Sequence, residues 1–178
     1  MSQDGYIVIS DITGYTEFLS KSELEHAEDS LRGLLGVQLE HTRPPFVVSR
    51  LEGNAVISYA PREGFLQGQT LVDTMEVTCV AFRQVLERMV LNTTCTCRAC
   101  RNIPSLDLKF FVHYGTFMLQ HLGSHIAMVG SDVNLIHRLT KNSIIEITGF
   151  KAYTAYTQAA VDALGIGGMC GQMTPHTE

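Results

Sequence analysis

A few residues have types and spacings that could carry chemistry. Asp11 follows "GYIVIS" (5–10), a short β-branched run that reads as a buried strand. A carboxylate just past such a strand faces a ligand in many α/β proteins, or it simply closes a turn. Asn134 and Arg138 lie four apart in "SDVNLIHRLTKNS" (131–143), so a helix there puts them on one face. Arg is a permanent, planar donor suited to phosphate, and Asn can orient a hydroxyl or a sugar. Taken alone, the pair also suits a solvated helix face. Cys95, Cys97 and Cys100 form Cys-x-Cys-x-x-Cys, a spacing that suits Zn²⁺ held by thiolates on a tight turn. Cys170, His176, His113 or a second subunit could supply the fourth ligand, and the alternative is a loop of free thiols. His26, His41, His121, His125 and His137 show no ligand spacing.

The elements that must position these residues follow from periodicity. After Asp11, apolar residues return every three or four positions from 15 to 41, a helix stopped by "RPP" (43–45). "FVVSRLEGNAVISYAP" (46–61) reads as a hairpin turning at Gly53-Asn54. "REGFLQGQ" is a loop, and 70–91 is a second amphipathic helix with Cys79 in its core face. "LDLKFFVHYGTFMLQHLG" (106–123) reads as two strands around Gly115, followed by a strand at 125–130. A helix at 131–143 follows, with Asp132 as its candidate cap. A strand in "FKAYTAY" and a helix ending at Gly165 come last. Strands, hairpins and helices in this order imply an α/β or α+β sandwich with helices packed on a sheet. The tail "IGGMCGQMTPHTE" shows no closing strand, so the natural chain is expected to continue beyond Glu178.

Composition narrows the class. With 178 residues, the chain can build one domain with a full core. A net charge of −5 argues against a nucleic-acid backbone binder. No apolar run can span a bilayer, and no signal peptide is evident, so a cytoplasmic protein with reduced thiols and no membrane partner is expected.

Three segments together resemble the class III nucleotidyl cyclase domains. "ISDITGYTEF" (9–18) is similar to that family's first metal motif. "RLEGNAVISY" (50–59) is similar to its Lys-x-x-Gly-Asp hairpin. "FFVHYGTF" (110–117) with "MVGSDVNLIHRL" (128–139) is similar to its strand and its Val-Asn…Arg helix. The resemblance implies an α+β fold: a ferredoxin-like βαββαβ-derived sandwich, with helices on a mainly antiparallel sheet. It covers 1–178 as a single cyclase-homology domain, with a cysteine-rich insert at 95–100. It implies conversion of ATP or GTP to a 3′,5′-cyclic nucleotide and pyrophosphate with two Mg²⁺ or Mn²⁺ ions, in a head-to-tail homodimer. Asp11 and the Ile12 carbonyl would hold metal, Asn134 would position the ribose, and Arg138 would stabilise charge on the phosphate.

The departures set the expectation of activity. Asn54 stands at the second metal aspartate, and an amide brings no negative charge to Mg²⁺. Arg50 replaces the base-reading lysine beside Gly53, and Ala127 stands where a polar base-reading partner is usual. The triphosphate lysine of many members would lie beyond Glu178. The expectation is a nucleoside-triphosphate-binding domain with weak or absent cyclase activity. The alternative is an inactive, dimerising regulatory or ligand-sensing module with a structural zinc site. A metal-dependent hydrolase of another kind has only Asp11 in its favour.

Overall fold

The computed structural model describes residues 1–42, 44, 46–62, 68–123 and 125–177, with only the backbone for Leu122, His125, Cys170 and Gln172. The first strand, β1 (Ser2–Thr13), alternates its side chains between two buried faces. Tyr6, Val8 and Ile12 enter one core, and Ile7 and Ile9 enter the other. Two covered faces explain why "YIVI" is continuously apolar rather than alternating.

Helices α1 (Tyr15–Ser20) and α2 (Leu24–Thr42) stand where one helix was expected. The break falls at residues 21–23, where Lys21 already ends α1 in a non-helical conformation. Strands β2 (Val47–Glu52) and β3 (Ala55–Pro61) form the expected hairpin. Gly53 takes a φ of 59° at the first loop position, the place glycine holds in type II′ hairpins. Helix α3 (Gly68–Asn92) precedes the cysteine turn and the short α4 (Arg98–Asn102). The expected loop at 62–69 falls largely on 63–67, outside the described residues, as do Arg43 and Pro45 of the expected helix stop.

Strand β4 (Asp107–Leu122) is continuous, which corrects the expected break at Gly115. It pairs antiparallel with β1 along its first twelve residues. Gly115 serves packing instead: a Cβ there would collide with the Asp132 side chain. Strand β5 (His125–Val129), helix α5 (Ser131–Leu139), helix α6 (Ile144–Thr148), strand β6 (Tyr153–Tyr156) and helix α7 (Gln158–Leu164) complete the order. Helix α6 was not anticipated. The sheet runs β2-β3-β1-β4-β5, with β6 added parallel to the start of β4. Every other pairing is antiparallel.

The larger core joins one sheet face to the helices, with Phe18, Leu34, Leu71, Phe82 and Phe110 almost fully buried. The smaller core lies under α5, whose Val133 and Ile136 meet Ile7, Ile57, Phe111 and Phe117. Burying a side chain of this size stabilises by roughly 1.5–3 kcal/mol. The two cores therefore fix α5 and the sheet as one frame. The result is a mixed α+β fold with a mainly antiparallel sheet, as expected.

Candidate functional site

The structure separates the candidate residues into three places. The first is a cavity of about 710 Å³ lined by Arg50, Glu52, Ser131, Asn134, His137 and Arg138. Ser131, Asn134 and Arg138 recur at helical spacing, so α5 presents them on one side. Ser131 opens the helix, where unpaired N–H groups and the helix dipole favour an anion. Asp132 is not the cap: Gly130 holds that position, and the Asp132 carboxylate accepts from the Thr116 amide at 2.7 Å.

Arg50 reaches this cavity through a feature the sequence reading missed. The β2–β3 register slips between Val48 and Arg50, a bulge that leaves Ser49 unpaired. Arg50 then pairs with Ile57, which faces the α5 side. Its guanidinium lies 2.6 Å from Glu52 and 3.3 Å from His137. His137 in turn is 3.8 Å from Glu52. Glu52 thus holds the Arg50 head between β2 and α5. Ala127 sits half-buried on β5 opposite Gln120, and neither it nor Gly53 lines the cavity.

The second place is Asp11. It lies between Ala55 of β3 and Lys109 of β4, and its carboxylate is mostly buried. The Lys109 ammonium stands 3.1 Å away. The Asn54 amide nitrogen donates to Asp11 and to the Ile12 carbonyl, the latter at 2.9 Å. Two acceptors facing one amide require its nitrogen, not its oxygen, to point at them. Burial holds the Asp11 carboxyl above its ordinary pKa, and the Lys109 charge only partly opposes this. This donor set does not fit two divalent cations. It offers one carboxylate, already ion-paired, and an amide that turns a donor toward the would-be ligands. Asp11 and Asn54 do not line the cavity.

The third place is the cysteine cluster. Cys95, Cys97 and Cys100 converge on His26 of α2, and one ligand atom from each lies within 4.8 Å of the others. Such a group could hold a metal ion. Cys170 lies in the 3₁₀ segment Gly167–Gln172, and its side chain is outside the described residues. His26 had drawn no ligand role from its sequence because 69 residues separate it from Cys95.

Comparison with known proteins decides the family. A model described as a protein of unknown function (DUF2652) matches residues 31–148. The chain belongs to that family. The DUF2652 chain is also 29% identical over 97 residues to the uncharacterized protein Rv2561/Rv2562 of Mycobacterium tuberculosis. That match covers 54% of this chain and 45% of the relative, so it spans less than half the relative's length. Among solved structures, a bacterial light-regulated adenylyl cyclase superposes with a TM-score of 0.70 at 15% identity. The superposition covers 92% of this chain and 45% of that one. The guanylyl cyclase Cya2 gives 0.68 at 16% identity, over 93% of this chain and 80% of its own. A class III adenylyl cyclase-like ATP-binding protein from Pseudomonas aeruginosa gives 0.67 at 14%, over 91% and 35%. At these identities the likeness establishes that this DUF2652 chain has the class III cyclase fold. No helix among the described residues is long and apolar enough to cross a membrane.

Proposed function

We propose that this chain is a nucleotidyl cyclase-like domain that binds a nucleoside triphosphate, ATP or GTP, and turns it over weakly or not at all. The observation that carries the reading is the cavity that gathers Arg50, Asn134 and Arg138 along one side of α5. Arg138 would meet phosphate oxygens through charge-assisted hydrogen bonds, and the Ser131 end of the helix, about two turns away, would meet others. Asn134 would hold the ribose. The chemistry fails at the other place. Mg²⁺ or Mn²⁺ would supply the charge that activates the ribose hydroxyl and neutralises the triphosphate. Asn54 and the Lys109–Asp11 pair leave little there to hold such ions.

A homodimer fits this arrangement. Asp11 and Asn54 do not line the cavity, so a head-to-tail partner would bring one chain's Asp11 to the other's Arg138. Leu51 and Leu135, next to cavity residues, and Ile126 of β5 are exposed apolar side chains such a partner would cover. A cytoplasmic setting suits its free thiols.

The second reading, a dimerising module without turnover, is favoured by Asn54 and by Ala127, which supplies no side-chain donor for a base. Isothermal titration of ATP and GTP into the chain and its Arg138→Ala variant tests the first reading. Saturable binding that the substitution weakens supports it. Absence of binding by the folded parent, or binding indifferent to the substitution, overturns it.

A further inference from the structure

We propose that His26, Cys95, Cys97 and Cys100 form a structural Zn²⁺ centre that staples the 95–105 segment to α2 and so braces the turn that follows the Asp11 end of β1. The inference concerns a site apart from the cavity and does not depend on nucleotide binding.

The geometry is that of a tetrahedral ligand shell. Zn–S and Zn–N bonds in a tetrahedron put sulfur and nitrogen about 3.6 Å apart. The Nδ1 atom of His26 lies 3.2 Å from the Cys97 sulfur, 3.6 Å from Cys95 and 3.9 Å from Cys100. These distances bracket the required one. A structural zinc wants four ligands, and three thiolates with one imidazole complete the set.

The backbone around the sulfurs suits thiolates. The Cys97 amide donates to the Cys95 sulfur, and the Cys100 amide donates to the Cys97 sulfur, each at 3.4 Å. Such N–H···S bonds orient the ligands and stabilise their negative charge. The Cys97 sulfur thereby caps α4, whose Ala99 amide donates to the Glu23 carboxylate at 3.0 Å. Glu23 precedes α2, three residues before His26. The cluster is thus tied to α2 twice, by the proposed metal and by this bond. Three thiolates, a neutral imidazole and Zn²⁺ sum to one negative charge, and Arg98 and Arg101 lie in the same segment to offset it.

The staple reaches Asp11 by packing. Ala99 and Ile103 are buried in the larger core. The Ser105 carbonyl lies against Gly14, where an added Cβ would meet it at 3.1 Å. Gly14, at a φ of 83°, turns the chain from β1 into α1 directly after Asp11-Ile12-Thr13. The metal therefore fixes the wall beneath that turn.

The test is native mass spectrometry of the chelator-washed full chain, with absorption spectra of its Co²⁺-substituted form. Variants are His26→Ala, His26→Cys and Cys170→Ser. We expect one Zn²⁺ per chain and tetrahedral Co²⁺ bands with the charge-transfer intensity of three thiolates. His26→Ala should lose more affinity than the roughly 10–100-fold that loss of an outer-shell partner costs. His26→Cys should restore tight binding with the intensity of four thiolates, and Cys170→Ser should change nothing. If His26→Ala does not fold, the parent spectrum alone still counts the thiolates. A parent chain with no retained metal and freely titrating thiols overturns the site. So does a Cys170→Ser variant that loses the metal while His26→Ala keeps it.

Discussion

The cavity at α5 and the cluster at Asp11 are built from the same kinds of residue, yet they differ in what they leave unsatisfied. In the cavity, cationic and amide groups line an open space, and Glu52 restrains only Arg50 and His137. At Asp11 each polar group already answers another: Lys109 neutralises the carboxylate, and Asn54 bridges it to the Ile12 carbonyl. An open set of donors invites a ligand. A closed set holds β1, the β2–β3 turn and β4 together and competes with any ion that would displace it. The difference rests largely on Asn54, because an aspartate there would repel Asp11 unless a cation sat between them.

The largest effect that could break this contrast is on stability. Lys109→Met leaves a mostly buried Asp11 carboxylate without its counter-charge, which costs roughly 3–5 kcal/mol. Adding Asp11→Asn should return much of that loss. Urea melts of the two single variants and the double variant measure the coupling, and additive losses would show that the pair is not closed.

Next comes the cavity. Arg138→Ala should leave the urea midpoint nearly unchanged and weaken triphosphate binding by roughly 10–100-fold, the loss of a charge-assisted contact. Gly115→Ala should strike the cavity without touching Asp11. Its methyl group would collide with Asp132 and displace α5, at a cost of roughly 1–3 kcal/mol, and nucleotide titration should show weakened binding.

A smaller effect is the pH dependence of folding. Asp11 keeps its proton to higher pH when folded than when unfolded. The folded state therefore binds more protons between the ordinary carboxylate value and the raised one. Stability falls as pH rises through that window and levels above it. Asp11→Asn should flatten this slope in denaturation midpoints taken from about pH 4 to pH 7.

The smallest effect separates the thiols. Burial pushes the Cys79 thiol up to about 11, so in metal-free chain it should alkylate far more slowly than Cys95. Peptide mapping after timed iodoacetamide reads the difference.

Much of the frame was legible because periodicity reports burial. The β1 run, the hairpin, α3 and α5 all carry apolar repeats long enough to fix their type. Gly115 misled because glycine in a strand reads as a break, whereas here it makes room for a side chain from α5. The bulge at Ser49 left no local signal, although it decides which face Arg50 joins. His26 was invisible for a similar reason: only the packing of α4 against α2 brings it to the cysteines. Asp11, Asn54, Asn134 and Arg138 were legible as candidates through their motifs. Their division between a closed cluster and an open cavity was not, because it depends on Lys109 and on strand register.

The most direct test of the account is a cyclase assay on the chain and on its Asn54→Asp variant, with ATP or GTP and Mn²⁺, reading cyclic product by mass spectrometry. The account predicts product from the variant at a rate at least about tenfold above the parent, since the added carboxylate restores a metal ligand worth at least ~1.4 kcal/mol in the transition state. Equal turnover by the two folded chains would contradict it.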